Sequence, residues 1–145
     1  MRVILQVVNK ASVTINEQIY NQIERGYLLL VGIGKDDTKE NVDEMVEKIA
    51  KLRVCPDEKG KTNLDIFTYK GSILSISQFT LYADTTRGNR PDFLQAANKE
   101  LAIELYELFN KKLAEKGMVV KEGIFGADMK VNLENNGPFT IFIEN

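Results

Sequence analysis

The stretch ENNGPFTIFIEN, residues 134–145, joins a turn signal to a strand signal. Its apolar part, FTIFIE, predicts a strand, and Asn-Gly between two apolar runs is a strong hairpin signal. We therefore predict a turn at residues 135–138, which connects this strand to the preceding run MKVNLE. Pro138 follows Gly137 at once, however, and a proline removes a backbone donor that a neighbouring strand needs. The dipeptide is thus either a stiff turn or a segment that is held outside the sheet because it has a function.

The rest of the chain alternates apolar runs with two amphipathic segments. The apolar runs predict further strands at residues 2–8, 11–16, 17–23, 27–34, 72–84 and 118–123, the fifth of which passes into a loop. Apolar residues at helical spacing predict helices at residues 38–52 and 98–116. Asp37 is the predicted cap of the first helix, and Gly117 follows the second as a favourable C′ residue.

Many strands with only two long helices predict a layered α/β fold. Each amphipathic helix has one apolar face and covers one face of a sheet. We therefore predict a single domain over residues 1–145, a three-layer β-β-α sandwich with mostly antiparallel sheets and the two main helices on one side.

The composition excludes several classes of protein. With 145 residues, 43% hydrophobic and 28% charged, the chain fits one ordinary globular domain. Its apolar runs are too short to span a membrane, and one cysteine forms no internal disulfide, so we expect a cytoplasmic location. A formal net charge of −2 argues against an extensive interface with nucleic-acid phosphates, but it allows binding to one end of an RNA through a local patch.

The chain contains no histidine, which limits its chemistry. Ser-His-Asp and Cys-His catalysis are impossible within one type of chain, and histidine-based zinc sites are excluded. We expect neither a metal nor a cofactor. Any catalysis then rests on carboxylates, hydroxyls, lysine, backbone amides or the substrate itself.

The segment SQFT, Ser77–Thr80, lies where a predicted strand gives way to a loop. Ser77 and Thr80 offer hydroxyls, Gln78 offers an amide donor, and backbone N–H groups at a strand end can stabilise an oxyanion. A polar strand end with ordinary hydrogen bonds is the structural alternative. Met129 is more often core filler than a ligand contact.

Three other residues have simpler interpretations. Arg87 and Arg90 can meet a phosphate, although exposed loop arginines are usually only solvated. Cys55 is a small buried hydrophobic residue without a base partner.

Four of these segments together resemble one family. MRVILQVVNKASVTI, SQFTLYADTTRGNRPDF, FGADMKVNLENNGPFT and their order are similar to the D-aminoacyl-tRNA deacylases over nearly the whole chain. The resemblance implies a cytoplasmic homodimer that hydrolyses the ester between a D-amino acid, or glycine, and the 3′-terminal adenosine of tRNA. L-aminoacyl-tRNA is left intact, so the activity is a proofreading step of translation.

The resemblance also assigns the site residues. The family's SQxT motif falls on Ser77, Gln78, Phe79 and Thr80, with Gln78, Phe79 and Thr80 catalytic and Ser77 substrate-binding. Met129 matches a position near the terminal adenine.

In the family, the Gly-Pro motif contains a cis bond and enters the active site of the other subunit. It falls here on Gly137 and Pro138. The sites therefore lie at the dimer interface, and this dipeptide rejects L-aminoacyl esters.

The missing histidine agrees with a substrate-assisted reaction, in which the free 2′-OH of the terminal ribose helps activate the attack. Gln78 and the N–H groups of Phe79 and Thr80 then provide the oxyanion environment. Two other functions remain open: an esterase or amidase that uses Thr80 on small acyl substrates, and a non-catalytic tRNA- or ribosome-binding module.

The sequence departs from the family pattern at two positions. An arginine usually follows Gln6 and helps to hold the Gly-Pro loop, but Val7 stands here. Phe139 is also bulkier than the small aliphatic residue common after the Gly-Pro motif. The means by which the loop is held is therefore an open question.

Overall fold

The two longest strands, β1 (Arg2–Ile15) and β8 (Lys130–Glu144), pair with each other as antiparallel neighbours. The computed structural model describes all 145 residues. The other elements, in chain order, are β2 (Gln18–Ile23), β3 (Gly26–Gly32), α1 (Lys39–Lys51), β4 (Cys55–Pro56), β5 (Thr62–Leu64), α2 (Ile66–Tyr69), β6 (Ser72–Ser77), a 3₁₀ turn (Phe79–Tyr82), α3 (Lys99–Glu115) and β7 (Val119–Glu122).

Strand β1 is paired on both edges along most of its length. Gln6 lies opposite β3 on one edge and β8 on the other, whereas Val13 lies between β2 and β8. β3 and β2 therefore follow each other along one edge of β1, and β8 occupies the opposite edge. The sheet continues from β3 to β6 and β7 through parallel pairs, while all pairs made by β1 are antiparallel.

The part of this sheet that contains β2 folds back over the part that contains β6 and β7. β2 contacts β6 and β7 without pairing with either strand, and the Asn21 side chain donates to the carbonyl oxygen of Glu122 at 2.7 Å. A small apolar core separates the two β layers and comprises Val8, Ala11, Val13, Ile23, Leu28, Leu74 and Ile76.

Both long helices cover the other face of the layer that contains β3, β6 and β7, which we call the near layer. Their apolar stripes join residues of β1, β3 and β6 in one large core. From α1 this core includes Val42, Met45, Val46 and Ile49, and from α3 it includes Leu105, Phe109 and Leu113. The predicted three-layer β-β-α architecture, with the two main helices on one side, is confirmed. No helix is both long enough and apolar enough to cross a membrane.

The predicted helices lie within one residue of their observed ends, but one cap is different. Thr38, not Asp37, precedes α1, and its backbone N–H donates to Asn41 Oδ1 at 2.9 Å. Asp37 instead accepts the backbone N–H of Gly34 at 2.6 Å. For α3 the cap is Asn98, whose side chain accepts the N–H of Leu101 at 2.9 Å.

The predicted hairpin turn at residues 135–138 is wrong. Residues 130–135 and 140–144 pair with the same strand, β1, and form one continuous element rather than two strands facing each other. β1 is likewise a single strand where two were predicted. The true two-residue turn lies between β1 and β2, where Asn16 and Glu17 have φ of 50° and 64°.

Candidate active site

The SQFT segment lies at the end of β6, next to β3 in the middle of the near layer. The β3–β6 ladder ends where Ser77 pairs with Val31, and the N–H of Gln78 donates to the Val31 carbonyl at 2.7 Å. The chain then turns sharply into the 3₁₀ turn. A buried strand thus places Ser77 and Gln78 at a fixed rim, which is the arrangement predicted for functional side chains.

Arg2 and Tyr82 fix the 3₁₀ turn from the side of β1. A guanidinium nitrogen of Arg2 donates to the Leu81 carbonyl at 2.9 Å, and the guanidinium carbon lies 4.4 Å from the ring centre of Tyr82. The Tyr82 hydroxyl contacts Asp37 at 3.4 Å, and burial is the main cause that raises the pKa of this phenol. The turn that carries Phe79 and Thr80 is therefore attached to the body of the fold.

A cavity of about 350 Å³ opens beside this turn. Its volume falls within the range of roughly 300–1,000 Å³ that is typical of small-molecule sites. The lining is largely apolar, with a few polar groups, and consists of Val31, Ile33, Ile76, Ser77, Gln78, Phe79, Ala102, Tyr106, Phe125, Gly126, Ala127, Asp128, Met129 and Val131. Four predicted site residues, Ser77, Gln78, Phe79 and Met129, thus line the same cavity.

Thr80 is exposed next to the cavity and does not line it. Its hydroxyl oxygen accepts a hydrogen bond from the side-chain amide of Gln78, which is its one side-chain partner. An amide nitrogen that donates takes no proton, so this hydroxyl has no general base beside it. The N–H groups of Phe79 and Thr80 donate to no protein acceptor and remain available to a ligand.

Met129 both packs in the protein interior and lines the cavity. It is half-buried, packs against the core between the β layers, and lines the cavity. A Cβ atom on Gly123 would lie 2.5 Å from the Met129 sulfur, so the backbone of Gly123 makes room for this side chain.

Ten lining residues were not predicted as site residues, among them Tyr106, Phe125 and Asp128. The Tyr106 hydroxyl donates to the Ser75 carbonyl at 2.9 Å, and burial raises its pKa. Tyr106 belongs to the buried face of α3, where a tyrosine gives no sequence signal of a cavity wall. Asp128 adjoins Met129 in the motif FGADM, and it supplies a carboxylate at the cavity.

Gly137 and Pro138 lie apart from the cavity of their own chain. Neither residue lines it, and both are exposed. The peptide bond between them is cis. The structure therefore divides the predicted site residues into two groups, SQFT with Met129 at the cavity and Gly137-Pro138 on an exposed part of β8.

The remaining candidates lie outside this site. Arg87 and Arg90 are exposed and form no salt bridge. Cys55 is buried, contacts the Tyr27 hydroxyl at 3.3 Å, and has a pKa raised by burial, as expected of a structural thiol. No cluster of three or more acidic or thiol side chains suited to a metal ion is present.

An exposed apolar patch adjoins the mouth of the cavity. Phe79 is 56% exposed and Leu94 is 73% exposed. The rings of Phe79 and Phe93 meet edge-to-face with centroids 4.9 Å apart. Aromatic groups left uncovered at a cavity mouth are typical of surfaces that contact a ligand or another protein.

The family model and the similar proteins of known name point to the same family. The family model described as D-Tyr-tRNA(Tyr) deacylase matches residues 4–144. A D-aminoacyl-tRNA deacylase of Limosilactobacillus reuteri (strain DSM 20016) is 55% identical over 144 residues, covering 99% of each chain. One of Bacillus pumilus (strain SAFR-032) is 49% identical, covering 99% of this chain and 98% of its own.

Two solved structures share the fold. The c-Myc DNA Unwinding Element Binding Protein superposes with a TM-score of 0.93 at 39% identity, covering 100% of this chain and 99% of its own. A "probable eukaryotic D-amino acid tRNA deacylase" superposes with a TM-score of 0.86 at 17% identity, covering 98% and 97%. The second likeness supports the fold alone.

Proposed function

The chain belongs to the D-Tyr-tRNA(Tyr) deacylase family, and we propose that it hydrolyses the ester between a D-amino acid and the 3′-terminal adenosine of tRNA. The observation that carries this proposal is the cavity in which Ser77, Gln78, Phe79 and Met129 meet. The products are tRNA and a free D-amino acid. The proposal places the activity in the cytoplasm, where aminoacyl-tRNA is used.

Gln78 and the backbone of the 3₁₀ turn provide the electrostatic part of the reaction. The N–H groups of Phe79 and Thr80 have no protein acceptor, and the Gln78 amide lies beside them. One such donor aimed at a developing oxyanion contributes ~3 kcal/mol of transition-state stabilisation. An aminoacyl ester is already reactive, so these donors and correct positioning are sufficient.

The substrate itself supplies the group that activates the attack. Thr80 has no base beside it, and the chain has no histidine. The free 2′-OH of the terminal ribose lies next to the ester in any aminoacyl-tRNA. We therefore assign the activation to this hydroxyl and assign no nucleophilic role to Thr80.

Selection against L-amino acids requires a steric wall. L and D residues differ only by exchange of the hydrogen and the side chain at Cα, and excluding one side-chain direction is simpler than binding every D side chain. Gly137-Pro138 is exposed backbone with little side chain, suited to close approach. Glycine has no side chain to exclude, so glycyl-tRNA(Ala) is a second substrate.

The wall comes from a second copy of the chain. Gly137 and Pro138 do not line the cavity of their own copy. Phe79, Phe93 and Leu94 leave apolar surface uncovered at its mouth. A symmetric dimer covers this surface and lets each copy complete the other's site, because a two-fold interface repeats every contact.

Release of labelled amino acid from D-Tyr-tRNA and from L-Tyr-tRNA tests this function. We expect rapid release from the D ester and little from the L ester. Hydrolysis of small free esters at a similar rate would favour the esterase alternative. Binding of tRNA without release of either amino acid would favour the binding module.

A further inference from the structure

Four residues of β8 face a single residue of β1 where their ladder is interrupted. Gln6 pairs with Thr140 and Val8 pairs with Asn135, so residues 136–139 stand opposite Val7 alone. We call residues 136–139 the Gly-Pro loop. Extra residues in one strand leave the regular ladder. Side chains must therefore contribute to holding this loop in one conformation.

The side chain of Asn135 bridges the two ends of the Gly-Pro loop. Its Oδ1 accepts the backbone N–H of Phe139 at 2.7 Å, and its Nδ2 donates to Thr140 Oγ1 at 2.9 Å. Thr140 Oγ1 also accepts from Gln6 Nε2 at 3.1 Å. One amide thus closes the loop, and the threonine hydroxyl connects it to β1.

An apolar contact completes the attachment. The side chain of Phe139 packs against the large core, to which the fully buried Val7 also belongs. Val7 lies opposite the loop but has no hydrogen-bonding group on its side chain. Asn135 is therefore the residue whose side chain binds the loop backbone directly.

The close approach of Gly137 to Phe139 makes this attachment relevant to the dipeptide. A Cβ atom on Gly137 would lie 3.0 Å from the Phe139 nitrogen. This is the same nitrogen that Asn135 holds at 2.7 Å. The amide that Asn135 holds therefore lies beside the place where any side chain at position 137 would have to fit.

We propose that Asn135 is a positioning residue for chiral selection: it fixes the Gly-Pro loop in the conformation that excludes L side chains from the site of the second copy. This rests on the proposed function for the role of the loop. The attachment itself rests on the contacts of Asn135, Phe139 and Thr140.

The test compares four variants with the wild type. Asn135→Ala removes both contacts, and Thr140→Val removes the link to Gln6. Asn135→Asp keeps the arrangement, because a carboxylate accepts from the Phe139 N–H and from the Thr140 hydroxyl. Asn132→Ala is the matched control, an exposed asparagine on the same strand whose side chain makes no hydrogen bond within the protein.

Two readouts are measured on each variant: kcat and KM on D-Tyr-tRNA and L-Tyr-tRNA, and hydrogen exchange of the Phe139 amide by NMR. We expect Asn135→Ala to lower the D/L ratio of kcat/KM at least tenfold and to speed exchange of the Phe139 amide. Thr140→Val has a smaller effect of the same sign. Asn135→Asp and Asn132→Ala remain close to wild type in both readouts.

The outcomes separate the two proposals. A wild type that releases no D-tyrosine overturns the proposed function and the selective role of Asn135 with it. A wild type that selects the D ester, with Asn135→Ala unchanged in D/L ratio, overturns the role of Asn135 alone. Equal loss in Asn135→Ala and Asn135→Asp also overturns it, because the effect then does not depend on the hydrogen bonds.

Discussion

The hydroxyl of Thr80 accepts a hydrogen bond from the Gln78 amide, and that amide cannot take its proton in return. A serine or threonine nucleophile needs a base within hydrogen-bond reach. The two N–H groups at the start of the 3₁₀ turn, by contrast, have no protein acceptor. At the scale of single residues, the site is therefore equipped to stabilise charge and position a substrate.

Substitutions at Gln78 and Thr80 should separate these roles. We expect Thr80→Ala to retain most of the activity and Gln78→Ala to lower kcat on D-Tyr-tRNA about a hundredfold, the loss of one oxyanion donor. Single-turnover kinetics with mass spectrometry of the quenched enzyme provide the measurement. An acyl group trapped on Thr80, with Thr80→Ser active and Thr80→Ala inactive, would contradict substrate assistance.

Gly137 is the second residue at which the backbone itself matters. With φ at +132° and the Phe139 nitrogen 3.0 Å from any added Cβ, an alanine here is both strained and crowded. We expect Gly137→Ala to lower both kcat/KM on D-Tyr-tRNA and its ratio to that on L-Tyr-tRNA by tenfold or more. Gly60→Ala is the control, because Gly60 also has positive φ but has open space around it.

At the scale of elements, the ends of α3 followed local rules and strand pairing did not. Asn98 begins α3 and Gly117 follows it, both recognisable from the sequence, since a cap depends on residues within one turn. The same locality failed at residues 135–138. A hairpin signal says nothing about a third strand, and β1 pairs with both flanking segments.

The stability of α3 offers a check on its cap. Asn98→Ala removes the acceptor for the Leu101 N–H and should lower the free energy of unfolding by about 1 kcal/mol. Asn98→Asp retains an acceptor and should cost little. Urea unfolding of both variants measures the difference. An equal loss of stability in the two would show that the hydrogen bond to the Leu101 N–H contributes nothing.

At the scale of the whole molecule, the sequence predicted the β-β-α layers because the helical stripes and the number of strands are visible in it. It predicted Ser77, Gln78, Phe79 and Met129 through the family resemblance. The cavity wall at Tyr106 was not predictable, because its position depends on how α3 packs over β6. The attachment of the Gly-Pro loop by Asn135 was hidden for the same reason, since its partners meet only when β8 pairs with β1.

The small net negative charge leads to an expectation about tRNA binding. An enzyme with net charge −2 that reads the acceptor end needs few phosphate contacts. We expect log K for tRNA to fall with log salt at a slope of roughly −2 to −4, as for three to five released counterions. Filter binding or fluorescence titration across a salt series measures it. A slope near −10 would indicate a much larger RNA footprint.

In the proposed dimer, the Gly-Pro loop of a second copy completes each cavity. Mixing Gln78→Ala chains with Gly137→Ala chains is the decisive test, because a mixed dimer has one site with both defects and one with neither. We expect D-Tyr-tRNA hydrolysis to recover to roughly a quarter of the wild-type rate in a random equal mixture of two-fold dimers. Activity that stays at the mean of the two separate variants after subunit exchange would contradict it.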